Sequence, residues 1–193
     1  YPRLLSTMFE RVYTFEPDPV NFHCLVANCQ RDNIVKLNAA LGPSHQLVNV
    51  SKDQFEDWDI NYGIRTVVPD QSGVTPMLKI DDLALDQCDL IMLDVEGYEE
   101  QVLQGATRTL ANPELRVVSL EGTTPAILKA LADNGFERAF YDPFTRVLQR
   151  TPNDLALRDG VWTLSNEFYV RDWPFVEKRL KTAPSVTVLG RTI

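Results

Sequence analysis

The sequence contains few cysteines and few histidines, and each shortage excludes a class of site. Cys24, Cys29 and Cys88 are odd in number. The first two lie on a predicted helix, about 140° apart around its axis, which suits neither a mutual disulfide nor a shared metal ion. The two histidines, His23 and His45, do not have the spacing of zinc ligands. We therefore expect reduced thiols, a reducing compartment and no zinc site.

Positive charge and long apolar runs are also scarce. The chain has 19 Lys and Arg residues against 27 Asp and Glu residues, a formal net charge of -8. Such a surface repels phosphate backbones and anionic lipids. No apolar run approaches the roughly 18 residues of a membrane-spanning helix, and the N-terminus lacks the pattern of a secretory signal. These absences predict a cytoplasmic protein with no nucleic-acid partner and no membrane contact.

The remaining pattern is typical of one α/β domain. The chain has 193 residues, without repeats or low-complexity tracts, which suits a single domain over residues 1–193. Asp18 and Thr124 each precede a proline and predict helix starts. Alternating strands and helices predict a mainly parallel twisted sheet with helices on both faces and a late antiparallel hairpin strand. The predicted strands are residues 11–15, 34–40, 46–51, 77–80, 89–94, 115–121, 136–141 and 146–150.

One segment of this domain is long and irregular. Residues 52–74 are polar and contain Trp58 and Tyr62. A loop of this length inside a compact domain is more often a lid or binding loop than an inert connection. We therefore predict a substrate loop here and an edge position for the strand before it, residues 46–51. The sequence predicts no role for residues 151–193.

Two of the predicted strands end in residues suited to a nucleotide. Ligands of parallel α/β sheets bind outside the carboxyl ends of the strands, where the carboxylate of Glu16 can accept both hydroxyls of a ribose. The alternative is a solvated loop acid or a charge at a helix N-terminus, a role that Asp18 fits better. Asn38, Ala39 and Ala40 end the next strand with small groups. They suit either a flat ring lying over them or plain close packing.

The stretch LIMLDVEGYE at residues 90–99 crowds three carboxylates around one glycine. The strand carries Asp94 to the end of the sheet, and Glu96, two residues on, points the same way if the chain stays extended. Gly97 allows a sharp turn. The paired acids suit an ammonium group, a metal ion or a proton in transit. Glu99 begins a helix, whose dipole favours an acid, so a structural role is an equal alternative.

A third acid ends the following strand. Glu121, in SLEG, is expected beside Asp94 and Glu96, and we predict these three as the catalytic residues. The alternative is simple solvation at an open edge. Carboxylates alone would favour only a hard ion such as magnesium, and no metal is predicted.

Taken in order, these motifs resemble the FkbM family of S-adenosylmethionine-dependent methyltransferases. The resemblance covers roughly residues 11–122. Each motif alone is weak, but their order is specific. The motifs are Glu16-Pro17-Asp18-Pro19, Phe22 and Leu25 with Asn28, Asn38-Ala39-Ala40-Leu41-Gly42, Ile80-Asp81-Asp82-Leu83, Leu93-Asp94-Val95-Glu96-Gly97-Tyr98-Glu99, Val102-Leu103 and Gly105-Ala106.

The resemblance implies a Rossmann-like class I methyltransferase that uses S-adenosylmethionine. Methyl transfer to a hydroxyl oxygen, often on a sugar or another small-molecule or glycan acceptor, is the expected reaction. By position, the resemblance assigns the cofactor ribose to Glu16 and Pro17, the adenine to Asn38, Ala39 and Ala40, the methionine end and reacting methyl to Asp94, and acceptor orientation to Glu96.

One part of the family pattern is missing. The family begins with a strand and a glycine-rich turn, Asp-x-Gly-x-x-x-Gly, that holds the methionine portion, and the sequence contains none. A sheet without that middle strand would leave two unpaired ladders in the core, so we expect the motif upstream of Tyr1. A nicotinamide-dependent oxidoreductase would share Glu16 but would not explain residues 94–99. A catalytically inactive methyltransferase-like binding or structural module is the other alternative.

Overall fold

The computed structural model shows a mixed α/β fold. It describes residues 1–51, 67–69, 72–142, 145–151, 157–158, 161–162, 166–185, 187–188 and 191–192. In chain order the elements are α1 (Pro2–Leu5), β1 (Val12–Phe15), α2 (Pro19–Asn28), β2 (Ile34–Leu37), β3 (Ala40–Leu41), β4 (Gln46–Val50), β5 (Val67–Pro69), β6 (Thr75–Leu78), a 3-10 helix (Ile80–Leu83), β7 (Leu90–Met92), α3 (Glu99–Gln104), α4 (Thr107–Ala111), β8 (Val117–Leu120), α5 (Pro125–Asp133), β9 (Glu137–Asp142), β10 (Val147–Gln149), β11 (Leu157–Arg158), β12 (Val161–Trp162), β13 (Glu167–Val170), α6 (Trp173–Thr182), β14 (Thr187–Val188) and β15 (Arg191–Thr192).

The chain divides into two compact units. The first comprises Tyr1–Ala84 and Val95–Thr107, and the second comprises Leu85–Asp94 and Arg108–Ile193. The prediction of a single domain stays a prediction. Among the described helices, none combines the length and the apolar character that crossing a membrane requires. Cys24, Cys29 and Cys88 are free thiols in this structure.

In the first unit, β1 and β2 form a parallel pair, and the helix that connects them, α2, is capped at its N-terminus. Val12 pairs with Ile34 at the start of the ladder, and both side chains are buried with Cys29 of the following turn. The carboxylate of Asp18 accepts hydrogen bonds from the amides of the second and third helical residues, both at 2.9 Å. This confirms the predicted start of α2, since such a cap satisfies amides that have no partner inside the helix.

The first unit also contains a four-stranded sheet in the order β3, β6, β4, β5. The predicted edge position of β4 is wrong, because β4 pairs antiparallel with both β6 and β5. The reason is that β5 lies inside the predicted substrate loop, where a three-residue strand ending in Pro69 gives too weak an apolar pattern to be recognised. Residues 72–74 of that predicted loop are described, whereas residues 52–66 and 70–71 lie outside the described residues.

The second unit has a five-stranded sheet in the order β10, β9, β13, β8, β7. β7 and β8 are parallel, and β9 with β10 forms the predicted antiparallel hairpin. β13, from the tail that the sequence left unassigned, runs antiparallel between β8 and β9. Val118 and Leu120 of β8 are fully buried in this sheet.

The prediction of a mainly parallel sheet is wrong for the described ladders. Parallel pairing joins β1 with β2, β3 with β6 and β7 with β8, and the remaining described pairs are antiparallel. Two of the parallel pairs join strands that have helices between them in the chain, whereas β5 and β13 pair antiparallel with their described neighbours. Alternation along the sequence indicates where helices connect strands, but not which strands become neighbours.

Candidate functional site

The carboxyl ends of β1 and β2 bring two predicted site residues together. The ladder ends where Phe15 pairs with Leu37, and the next amide, of Glu16, donates to the carbonyl oxygen of Leu37 at 3.1 Å. The side-chain amide of Asn38 donates to the carbonyl oxygens of Glu16 at 2.8 Å and Pro17 at 3.2 Å. The backbone around Glu16 is therefore fixed by a side chain from the neighbouring strand.

The carboxylate of Glu16 is half-buried, and its Oε1 accepts a hydrogen bond from the Asp18 amide at 2.9 Å. The side chain therefore stabilises the turn between Glu16 and Asp18. The ligand role and the loop-acid alternative both stay predictions. A carboxylate has about four acceptor positions, so this bond is compatible with a ligand that offers two hydroxyls. Thr75, buried on β6, adds a donor to the carbonyl oxygen of Pro17 at 3.3 Å. The sequence analysis predicted no role for Thr75, because this residue lies 58 positions after Pro17 in the chain.

Ala39 and Ala40 are almost completely buried, each with 2% of its surface exposed. Ala40 packs with Val48 and Met77 in a core cluster. A Cβ at Gly42 would lie 2.4 Å from the sulfur of Met77, so a larger residue there would require the Met77 side chain to move. Of the two alternatives, close packing describes these side chains, and the border with an adenine ring stays a prediction.

In the second unit, the carboxyl ends of β7 and β8 bring together Asp94 and Glu121, as the strand-end argument predicted. Met92 pairs with Ser119, and the amide of Leu93 continues the ladder to the carbonyl oxygen of Ser119 at 2.8 Å. A carboxylate oxygen of Asp94 lies within 4.8 Å of one of Glu121. Asp94 is exposed and Glu121 is half-buried. Two carboxylates this close concentrate negative charge, which favours a cationic group beside them.

Glu96, in the first unit, does not continue an extended chain, so the extended backbone predicted up to this residue is wrong. The predicted pairing of its carboxylate with Asp94 joins residues of different units and stays a prediction. Glu96 and Gly97 have φ angles of 50° and 86°, and the amide of Tyr98 donates to the carbonyl oxygen of Val95 at 3.2 Å. Positive φ at both central positions is the pattern of a type I′ turn. Glutamate is strained in this conformation, and strained residues concentrate at functional sites.

Glu99 has the structural role at a helix N-terminus that the sequence analysis gave as the alternative to a role in the site. Only 4% of its surface is exposed. It lies in the first turn of α3, and its Oε1 accepts a hydrogen bond from the amide of Gly97 at 3.4 Å. An acid at a helix N-terminus is favoured by the helix dipole. Glu99 therefore stabilises the turn that presents Glu96.

A polar network beside Glu121 was not predicted. The hydroxyl of Tyr169 donates to Oε2 of Glu167 at 2.7 Å, and Arg138 donates to the other oxygen of Glu167 at 2.7 Å. Burial, followed by the bond to Glu167, raises the pKa of the Tyr169 hydroxyl well above its usual value. The only signal in the sequence was the alternation of Glu167 and Tyr169, which places both side chains on one face of a strand.

Glu16 lies in the first unit, whereas Asp94 and Glu121 lie in the second. That the three residues share one edge of a sheet therefore stays a prediction. Each unit has at least one parallel strand that is followed by a carboxylate, Glu16 after β1 in the first unit, and Asp94 and Glu121 after β7 and β8 in the second. Such strand ends are the usual ligand-binding position of α/β proteins.

Comparison with known proteins narrows this class. The pattern of the methyltransferase FkbM domain matches residues 8–138. The chain belongs to the FkbM methyltransferase family, which confirms the resemblance seen in the sequence.

One solved structure and no curated protein match the chain. The crystal structure of methyltransferase FkbM from Methylobacillus flagellatus KT is 17% identical, with a TM-score of 0.48. The match covers 87% of this chain but 39% of that protein, so this chain spans less than half of its length.

Proposed function

We propose that this chain is part of an S-adenosylmethionine-dependent methyltransferase that methylates a hydroxyl group of a sugar or another small-molecule or glycan acceptor. The observation that carries the proposal is the Glu16 carboxylate, held at the end of β1 by its bond from Asp18 and by Asn38 on the adjacent strand. Membership of the FkbM family supports the methyl-transfer chemistry. The proposal includes a class I, Rossmann-like fold.

The residues present fit the polar groups of this cofactor. Charge-assisted hydrogen bonds from two hydroxyls to one carboxylate suit Glu16 as the ribose acceptor, with Pro17 and Asn38 shaping its loop. A carboxylate at Asp94 suits the ammonium group of the methionine end. The glycine-rich turn that holds the rest of the methionine portion in the family is not part of this sequence. The fit is therefore to the ribose and the ammonium group.

The chain's own residues would position the acceptor and remove its proton. The cofactor supplies a methyl group on a positively charged sulfur, which is a good leaving group. Asp94 and Glu121, with oxygens within 4.8 Å of each other, would accept the hydroxyl proton as the oxygen attacks. Glu96, exposed on its turn, would orient the acceptor by a hydrogen bond.

Three further features belong to the same proposal. Residues 52–74 would form the substrate loop, adenine would lie against residues 38–40, and the protein would act in the cytoplasm. The net charge of -8 supports a small neutral acceptor over a nucleic acid or an anionic membrane.

Binding of S-adenosylhomocysteine tests the proposed cofactor. We expect the product to raise the melting temperature of the wild-type chain and of Glu10→Ala, which removes an exposed acid. Glu16→Ala should abolish the shift. Glu16→Gln, which keeps an oxygen for the Asp18 amide but loses the charge, should reduce it while folding normally.

Two outcomes would redirect the proposal. No shift in the wild-type chain, together with no transfer of label from tritiated S-adenosylmethionine to a panel of sugars and glycans, would favour the inactive binding module. A fluorescence change with reduced nicotinamide cofactor instead would favour the oxidoreductase.

A further inference from the structure

Tyr98 packs against the cluster that Ala40, Val48 and Met77 form in the first unit. The three cluster residues are almost completely buried, each with at most 2% of its surface exposed, so their side chains offer a ligand almost no contact. Tyr98 is half-buried and keeps part of its surface accessible. A molecule that lies over this part of the sheet therefore meets the side chains that pack on the cluster.

Among the described residues, two half-buried side chains pack on this cluster, Val67 and Tyr98. Of the two, only Tyr98 has a flat aromatic ring, and every nucleobase has a face that stacks on such a ring. Burial raises the pKa of the Tyr98 hydroxyl, so the ring stays neutral at physiological pH. Tyr98 thus offers a stacking surface for an uncharged base such as adenine.

The backbone on both sides of Tyr98 holds its ring in place. The amide of Tyr98 donates to the carbonyl oxygen of Val95 at 3.2 Å and closes the turn that contains Gly97. The carbonyl oxygen of Tyr98 accepts from the amide of Val102 in α3 at 3.1 Å. A ring that is already fixed loses little freedom when a ligand binds, which favours its use as a binding surface.

Strand β6 relates the position of Tyr98 to that of Glu16. Thr75 donates to the carbonyl oxygen of Pro17, the residue after Glu16, at 3.3 Å. Met77 belongs to the cluster on which Tyr98 packs. Thr75 and Met77 are both buried and lie two residues apart on β6, so they share one face and are separated by about 7 Å. This separation is comparable with the span of a nucleoside, so a ribose at Glu16 would place its base near Tyr98.

We propose that Tyr98 is a cofactor-binding residue, whose ring stacks on the adenine of S-adenosylmethionine when Glu16 holds the ribose. This inference rests on the proposed function. Residues 38–40 keep their expected position at the border of the adenine, and Tyr98 supplies the aromatic face. Because Tyr98 contacts only the base in this assignment, it should contribute equally to ligands with and without the methionine portion.

Calorimetric titration of the full chain with two ligands tests the stacking. S-adenosylhomocysteine contains the amino-acid portion, whereas 5′-methylthioadenosine has the adenine and ribose without it. Tyr98→Phe keeps the ring and should bind both ligands within about twofold of the wild type, whereas Tyr98→Leu should weaken both by about tenfold, the effect of losing one aromatic stacking contact. Phe175→Leu, at an exposed aromatic residue of the second unit, is the matched control and should bind as the wild type does.

A third substitution measures the stacking directly, even if Tyr98→Leu folds poorly. Tyr98→Trp keeps an aromatic ring at this position and adds a fluorophore to the three native tryptophans. A stacked base quenches the emission of an indole ring. Addition of 5′-methylthioadenosine should therefore quench the fluorescence of Tyr98→Trp more strongly than that of the wild type.

The possible results separate this inference from the proposed function. If Tyr98→Leu binds both ligands as tightly as the wild type and Tyr98→Trp shows no additional quenching, Tyr98 is not in the site, and the proposed function stands. Weaker binding of S-adenosylhomocysteine alone would also overturn the inference, because the contact would then be with the methionine portion. A wild-type chain that binds neither ligand would contradict the proposed function and this inference together.

Discussion

The side-chain amide of Asn38 donates to the carbonyl oxygen of Glu16 at 2.8 Å, across the carboxyl ends of two parallel strands. A second bond from the same amide reaches Pro17 at 3.2 Å. Asn38 therefore acts on the proposed ribose-binding carboxylate through the backbone that carries it. These bonds give Asn38 a role in supporting Glu16. Its contact with the adenine ring stays a prediction.

Asn38→Ala tests this support. Loss of two hydrogen bonds to half-buried carbonyl groups should lower the free energy of unfolding by about 1–2 kcal/mol. It should also reduce the thermal shift caused by S-adenosylhomocysteine, because the Glu16 loop is no longer fixed. Asn28→Ala, which removes a hydrogen bond on the exposed face of α2, is the control and should keep the full shift. An unchanged ligand response in Asn38→Ala would show that Glu16 is positioned without it.

Substitutions at the two central residues of the turn, Glu96 and Gly97, should change the free energy of unfolding in opposite directions. Gly97→Ala should lower the free energy of unfolding by about 1 kcal/mol, because alanine is disfavoured at a φ of 86°. Glu96→Gly should raise it by about 0.5 kcal/mol, since relief of strain at φ 50° exceeds the entropy cost of glycine. Urea unfolding measures both changes.

Gly122→Ala is the matched control for this turn. A Cβ at that position meets nothing within 4 Å and no positive φ applies, so its effect should stay below about 0.5 kcal/mol. Glu96→Gly should nevertheless reduce methyl transfer, because it removes the side chain proposed to orient the acceptor. If Gly97→Ala unfolds at the same urea concentration as wild type, the turn is not strained as described.

Local chemistry made part of the fold predictable from the sequence. The Asp18 and Thr124 caps follow from residues within three positions of each helix start. The meeting of Asp94 with Glu121 required only that two successive strands be parallel. Both inferences depend on short segments whose geometry is set by their own residues.

Long-range pairing made the rest unpredictable. The insertion of β13 between β8 and β9 depends on which edges remain open after the earlier strands pair, and no local pattern encodes that. Arg171 shows the same limit: its guanidinium donates to the carbonyl oxygens of Leu115 and Asn134, both at 3.0 Å, from far along the chain. The left-handed backbone of Glu96 was not predicted, because a residue that follows a strand closely is expected to keep the extended conformation, and glutamate rarely adopts a positive φ.

Alkaline pH should destabilise the second unit through Cys88. Burial, followed by the charge of Asp89, raises the pKa of this thiol from 9.0 to about 11. The folded protein therefore favours the protonated thiol. Its stabilising contribution is complete below pH 9, falls as the pH rises from about 9 to about 11, and amounts to roughly 2 kcal/mol.

Urea unfolding between pH 8 and pH 11 measures this contribution. Cys88→Ala should lose less stability over that interval than the wild type. Cys24→Ser, at an exposed thiol, should follow the wild-type curve. The hydroxyl of Tyr169, whose pKa is also raised, contributes a decline of the same sign in every variant, so only the difference between curves is assigned to Cys88. Superimposed curves for wild type and Cys88→Ala would contradict the assignment.

Asp94→Asn separates a chemical role from a structural one. The substitution keeps the size of the side chain and removes its charge, next to Glu121. Because Asp94 is exposed, the free energy of unfolding should change by less than about 0.5 kcal/mol, and loss of the repulsion between two carboxylates favours an increase. If Asp94 accepts the hydroxyl proton, kcat should fall by about 100-fold or more.

The control is Asp133→Asn, an exposed acid of the second unit that pairs with Lys129. It should leave both stability and kcat unchanged, so that a loss of rate in Asp94→Asn cannot be assigned to net charge. The dependence of kcat on pH adds a second criterion. A residue that accepts the proton should leave the variant without the acidic limb of the wild-type profile, whereas an ammonium-binding residue should leave that limb in place and raise KM for S-adenosylmethionine. Equal kcat and KM in wild type and Asp94→Asn would remove Asp94 from the site.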